Sequence, residues 1–197
     1  MRATTLIATV LAALAMAGCT ADTVVTTEET AASSAAAAPP PPAGPPPSNA
    51  HLVNAFYFGA PVDGRTRYFF TTPSGRWQCA IVARERAGCQ AASGSLSITG
   101  APETVPDATG EPAAPTAVVV EREGDARFVA QEQPEFGLDP GPANVLPFNR
   151  ILAVGGFRCN VQEAVGISCL SERSGRGFSF SDEGFAPQYT DVPAGAP

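Results

Sequence analysis

The chain has 197 residues, 19 acidic and 12 basic side chains and a net charge of −7, and every basic residue is arginine. That balance argues against nucleic-acid binding, which rests on a basic footprint. The hydrophobic share of 44% is inflated by alanine near the N-terminus, so it does not by itself signal a large core.

The first element in chain order is an export signal over residues 1–18. Met1-Arg2 forms a minimal basic start, Ala3 to Ala13 is an apolar run, and the small residues Ala17 and Gly18 precede a break. The run is shorter than the roughly 20 apolar residues a membrane-spanning helix needs. Leu14-Ala15-Met16-Ala17-Gly18-Cys19 resembles a bacterial lipobox, in which the cysteine is lipidated and becomes the first residue of the mature protein. Cys19 is therefore the expected lipidation site. The expected location is the extracytoplasmic face of the cell membrane, with the membrane itself as partner through the anchor.

Residues 19–50 read as a disordered linker. Ala31 to Ala38 is almost pure Ala/Ser, Pro39 to Pro47 is proline-rich, and no large apolar residue stands between Val25 and Leu52. Such a stretch has nothing with which to build a core. Proline favours an extended path of about 3.1 Å per residue. Flexible chain of this length spans on the order of 30 Å, enough to hold a domain off a membrane.

A domain of ordinary length is expected over residues 51–190, with a disordered tail at 191–197. Within it an internal repeat is legible. Gly75-Arg76-Trp77-Gln78-Cys79 and Gly155-Gly156-Phe157-Arg158-Cys159 share Gly-x-aromatic-x-Cys at an offset of 80 residues, and each first cysteine is followed ten residues later by Cys89 or Cys169. A Ser-Gly and an apolar, β-rich stretch come after each unit, Leu96-Ser97-Ile98 and Phe178-Ser179-Phe180. Alternation places Trp77, Cys79 and Ile81 on one strand face, and Phe157, Cys159 and Val161 likewise. Turns are expected at Arg84-Glu85-Arg86 and Glu163-Ala164. If each hairpin is symmetric about its midpoint, the two cysteines of a unit lie opposite one another, at a separation of about 4.5–5.5 Å that a disulfide tolerates. This favours Cys79–Cys89 and Cys159–Cys169, although four cysteines allow three connectivities. Each staple is expected to contribute about 2–3 kcal/mol. With Cys19 set aside, the remaining four cysteines form an even set. The spacing lacks the short C-x₂₋₄-C intervals of zinc sites and the C-x-x-C of redox sites. No metal and no cofactor is expected.

The remaining elements also read as β. Arg67 to Thr71 is a strand leading into a turn at Thr72-Pro73-Ser74-Gly75. Residues 99–115 form a loop, Ala117 to Glu121 and Arg127 to Gln131 pair around Glu123-Gly124-Asp125, and Ile151 to Val154 precedes the second unit. Nowhere is there sustained helical periodicity. The predicted fold is all-β, mainly antiparallel, with two pseudo-repeated stapled hairpins in one small domain.

Catalytic motifs are sparse. His51 is the single histidine and sits at the linker edge, where a Ser-His-Asp triad is hard to preorganise. There is no lysine, no G-x-S-x-G and no H-E-x-x-H. Residues 99–140 carry nine acids and two arginines, so a paired-carboxylate hydrolase is the enzymatic alternative. Trp77 is read as core, since it continues the alternating row, rather than as a ligand-stacking ring.

Phe70-Thr71-Thr72-Pro73-Ser74-Gly75-Arg76-Trp77-Gln78-Cys79 resembles the F-x-T-P-S-G-N-x-x-C segment of a family of small exported proteins and lipoproteins of unknown function common in actinobacteria. Val145-Leu146-Pro147-Phe148, Gly156-Phe157-Arg158-Cys159, Gly166-Ile167-Ser168-Cys169 and Gly175-Arg176-Gly177-Phe178 are similar to that family's second half. The resemblance spans residues 66 to 182 and departs at Arg76, where Asn is usual, and at Arg176, where His often stands. It implies two disulfides and an envelope location, and assigns no activity. The functional expectation is a non-catalytic binding or accessory domain for a cell-wall polymer or another envelope protein. The alternatives are a hydrolase with paired acids and a carrier of a hydrophobic ligand.

Overall fold

The computed structural model describes residues 47–197. The export signal, the lipidation site Cys19 and nearly all of the linker lie outside the described residues. Two antiparallel sheets pack face to face. The first has the order β1-β2-β3-β4-β7-β8 and the second β13-β12-β11-β10-β9. The first comprises β1 (Gly59–Val62), β2 (Arg65–Thr71), β3 (Trp77–Val82), β4 (Arg86–Ala91), β7 (Ala117–Glu121) and β8 (Arg127–Val129). The second comprises β9 (Arg150–Val154), β10 (Phe157–Gln162), β11 (Gly166–Ser171), β12 (Gly177–Ser181) and β13 (Gly184–Ala186). The short strands β5 (Val105–Pro106) and β6 (Pro112–Ala113) pair with each other.

Both staples are as the spacing predicts. Cys79 is bonded to Cys89 and Cys159 to Cys169, directly opposed across their hairpins with Cα atoms 4.1 Å apart in each. Each sits in the middle of an apolar row that crosses its sheet. In the first sheet the row is Phe70, Cys79, Cys89, Val118 and Phe128. In the second it is Leu152, Cys159, Cys169 and Phe178. These rows face one another and form one core, with all four cysteines fully buried.

The outer faces are buried as well. On the first sheet, Phe69, Ala80, Gly88 and Val119 form the outward row. Phe136 lies on it, 0% exposed, with its ring where a Gly88 side chain would be. Gln90 fixes this cover, since its Oε1 accepts from the backbone N–H groups of Glu135 and Phe136 at 3.1 and 2.9 Å. On the second sheet the outward row is Ile151, Asn160, Ser168 and Ser179. A strap over Gln188 to Asp191 satisfies it. Asn160 donates to Tyr189 and to the Thr190 carbonyl, and the Ser179 hydroxyl donates to the Gln188 carbonyl. Burial is the largest cause holding the Tyr189 hydroxyl above its ordinary pKa, with the Asp191 carboxylate adding to it.

Several expectations shift in detail. Leu96 and Ile98 bury into the core but join no ladder, because β7 occupies the free edge of β4. The loop at 99–115 contains the β5–β6 pair. The first hairpin turns at Ala83-Arg84-Glu85, and Arg86 already pairs with Val82. β8 stops at Val129 rather than Gln131. β1 has no counterpart among the expected strands, although Asp63-Gly64 turns it into β2 with both φ angles positive (49° and 74°), as a tight hairpin demands. Residues on both sides of 51–190 take part in packing. The Ser48 N–H donates to Asp191, the Ser48 carbonyl accepts from Arg158, and Val192 is 2% exposed.

Candidate functional site

The sandwich has two ends with different chemistry. At one end β3 and β11 begin and β10 and β12 finish, and the sheets part into an open cleft of about 260 Å³. Trp77, Phe180 and Phe148 supply its apolar walls. Trp77 is 7% exposed and meets Phe180 edge-on, with ring centroids 4.8 Å apart, so it is a core residue whose edge reaches the cleft. Thr72 and Ser74 supply hydroxyl groups, and Gln162 lines the cleft while its side-chain amide donates to the Thr190 carbonyl of the outer-face strap. The turn carrying the first two is closed by the Gly75 N–H donating to the Thr72 carbonyl at 2.9 Å, and the two hydroxyls lie 3.0 Å apart.

Across the mouth, the Arg76 guanidinium donates to the Asp182 carboxylate. The Asp182 backbone carbonyl in turn accepts from the Thr99 hydroxyl at 2.9 Å. Both charged groups are about half exposed, so the pair bridges the sheets at little net energy. Glu163 also lines the cleft and is exposed. Asp182 and Glu163 are the two acids the cleft brings together. Both side chains are exposed to solvent. Elsewhere, Asp107 is held below the ordinary carboxylate range, first by the Thr109 hydroxyl and then by backbone N–H groups of its own turn. Glu121 is held low by the Arg127 guanidinium, at 2.6 Å.

Four large apolar side chains, Phe148 among them, are exposed on two segments that a hydrogen bond ties together. Phe56 and Tyr57, on a 3₁₀ turn over Ala55–Phe58, are 81% and 66% exposed. Asn144 donates to the Tyr57 carbonyl, Leu146 N–H donates to the Thr71 carbonyl, and Phe148 reaches the cleft wall. Val145 and Phe148 are exposed on the way, at 50% and 37%. The segment Asn144–Phe148 thus joins the Phe56-Tyr57 turn to the cleft.

His51 stands apart from this site. Its Nδ1 is 3.0 Å from the Arg150 guanidinium and its Nε2 is 3.4 Å from the Ala194 carbonyl, so its contacts include neither a serine hydroxyl nor a carboxylate. Among the described residues, no three His, Cys, Asp or Glu side chains are grouped to hold a metal ion, and no helix is long and apolar enough to cross a membrane. Sequence reasoning did not single out Phe56, Tyr57 or Asp182. The available signal was two adjacent aromatics placed after a proline-rich segment and outside any alternating row.

Stapled hairpins, a shared core and an open aromatic cleft define a small disulfide-bonded β-sandwich. Comparison with known protein families, with curated proteins and with solved structures returned no match to this chain.

Proposed function

We propose that this protein is a lipid-anchored component of the cell envelope whose β domain is a non-catalytic binding module for a cell-wall polymer. The observation that carries the reading is the open cleft in which Ser74 and the half-exposed Arg76–Asp182 pair stand with the exposed Phe148 ring, together with the exposed side chains of Phe56, Tyr57 and Val145 on the neighbouring segments. A sugar unit has a matching division, with an apolar C–H face and a hydroxyl rim. Aromatic faces give large contact area at small entropic cost, while Ser74 and the half-exposed Arg76–Asp182 pair offer donors and acceptors for hydroxyls. A cleft of about 260 Å³ suits one residue of a chain, with the exposed Phe56 and Tyr57 rings left for further units. Single large apolar side chains on a surface are ordinary, whereas the adjacent Phe56 and Tyr57 rings are both largely exposed and meet edge-on, 5.7 Å between centroids. The two disulfides fit an oxidising compartment, in keeping with the export signal.

The test is co-sedimentation of the purified protein with insoluble cell-wall material, wild type against the combined Phe56→Ala, Tyr57→Ala and Phe148→Ala variant. The expected result is saturable binding that weakens by about tenfold or more in the variant. Wild-type protein remaining in the supernatant, or a variant that binds equally well, contradicts the reading. For the anchor, acyl labelling should mark the wild type and vanish in Cys19→Ala.

A further inference from the structure

The opposite end of the sandwich carries a separate feature, and it goes beyond the polymer-binding reading. Here β3 and β11 finish and β10 begins, and a groove of about 590 Å³ is lined by Arg84, Arg122 and Arg173, with Gly155, Gly156 and Glu172. In a chain of net charge −7, three arginines on one groove call for an account.

The pairing of charges around them gives one. Glu85 is taken by Arg65 at 2.6 Å, Glu121 by Arg127 at 2.6 Å, Asp125 by Arg176 at 3.4 Å and Glu172 by Arg158 at 2.9 Å. Glu123 is held by the Arg173 Nε at 2.7 Å, which leaves the terminal nitrogens of that guanidinium for another acceptor. Among the described residues, Arg84 and Arg122 are the two arginines whose guanidinium groups have neither an ion-pair nor a hydrogen-bond partner, and both line this groove.

Their backbones are held in place from both sheets. Arg84 N–H donates to the Gly155 carbonyl at 2.8 Å and Arg122 N–H to the Glu85 carbonyl at 2.9 Å. The Ser171 hydroxyl donates to the Arg122 carbonyl at 2.8 Å, and Glu172 N–H to the Gly156 carbonyl at 3.0 Å. Gly155 packs so closely on Ala83 that a side chain there would lie 2.6 Å from the Ala83 Cβ. Arg84 itself adopts a φ of +64°, a conformation that glycine takes without cost and an arginine does not. A strained, unpaired arginine beside a second unpaired one is the kind of outlier that accompanies a ligand site.

We propose that this groove binds an oxyanion of the phosphate class. Guanidinium forks match phosphate oxygens in pairs, and groups from three separate loops suit a tetrahedral anion better than a single planar carboxylate. The groove exceeds the size of a bare phosphate, so there is room for the substituent of a phosphate ester. Arg158, which holds Glu172, also binds the Ser48 carbonyl, where the chain enters the domain. A phospholipid headgroup on the tether side and a phosphate group of a soluble or polymeric ester are thus two sources of the same chemistry.

The test uses the chain from Thr20 onward, free of acyl groups, titrated with inorganic phosphate and followed by NMR at the Arg84, Arg122 and Arg173 loops. Saturable binding is expected. The double variant Arg84→Gly/Arg122→Gln should weaken it by about tenfold or more. Arg84→Gly alone should keep or raise the thermal midpoint, because glycine relieves the positive φ, so a binding loss there is not a folding loss. Flotation with phosphatidylglycerol vesicles against phosphatidylcholine vesicles assigns the source. Capture by the former, competed by phosphate, points to a headgroup, and phosphate binding without capture points to a soluble or polymeric ester. No saturable phosphate binding, or binding unchanged in the double variant, overturns the proposal.

Discussion

The two stapled hairpins share an inner face and differ in what covers the outer one. Ala80 and Gly88 of the first unit stand at the positions that Asn160 and Ser168 occupy in the second. The first pair lies under Phe136 and an apolar cluster. The second pair lies under a hydrogen-bonded strap in which Asn160 reaches Tyr189 and Thr190, and Ser168 shares a 2.7 Å bond with Ser179. The repeat therefore specifies staple and core, while each cover is specific to its half. The candidate sites follow the same division. The Phe56-Tyr57 turn and Asn144–Phe148 lie outside the repeated units, and Arg84 sits in a turn whose counterpart in the second unit has a different sequence.

Phe136→Ala breaks the comparison most severely. It empties a fully buried ring site and should cost about 3–5 kcal/mol in chemical denaturation. The staples come next. Replacing both cysteines of either pair with alanine should cost about 2–3 kcal/mol, with similar losses for the two because each closes a loop of the same length. Strongly unequal losses would show that the two scaffolds are not equivalent. A smaller effect is expected from exchanging repeat positions. Gly88→Ser puts a Cβ 2.4 Å from the Phe136 ring and should cost about 1–3 kcal/mol. Asn160→Ala strips donors from Tyr189 and Thr190 and should cost about 1–3 kcal/mol, for the reason of polarity rather than volume.

The polar cover also predicts a pH response that the apolar one lacks. An unfolded tyrosine loses its proton near pH 10, whereas burial holds the Tyr189 proton to higher pH. Its contribution is therefore complete below about pH 10 and is lost as pH rises toward the folded value. Stability measured across this range should fall less steeply in Tyr189→Phe than in wild type.

Much of the fold was legible because two-residue alternation, cysteine spacing and turn residues are local signals. The rows through Cys79 and Cys159, the β7–β8 hairpin and both disulfides come from such signals. What was not legible depends on distant segments. Nothing near Gly88 announces that Phe136 will cover it, 48 residues later, or that Tyr189 will close over Asn160. The cleft was partly legible. Trp77 is core, as its place in the alternating row predicts, while Asp182 enters only because two strand ends from different sheets meet there. The unpaired state of Arg84 and Arg122 is likewise invisible in a sequence that shows twelve arginines among nineteen acids.

The central functional claim is that the cleft and the exposed Phe56-Tyr57 and Asn144–Phe148 segments, rather than the stapled hairpins, contact a cell-wall polymer. Amide hydrogen exchange of the protein with and without solubilised cell-wall polymer tests it most directly. Added protection at Phe56-Tyr57, Asn144–Phe148 and Thr72–Trp77, with β4 and β11 unchanged, is the predicted result. Protection absent from those three segments, or spread evenly over both hairpins, would contradict it.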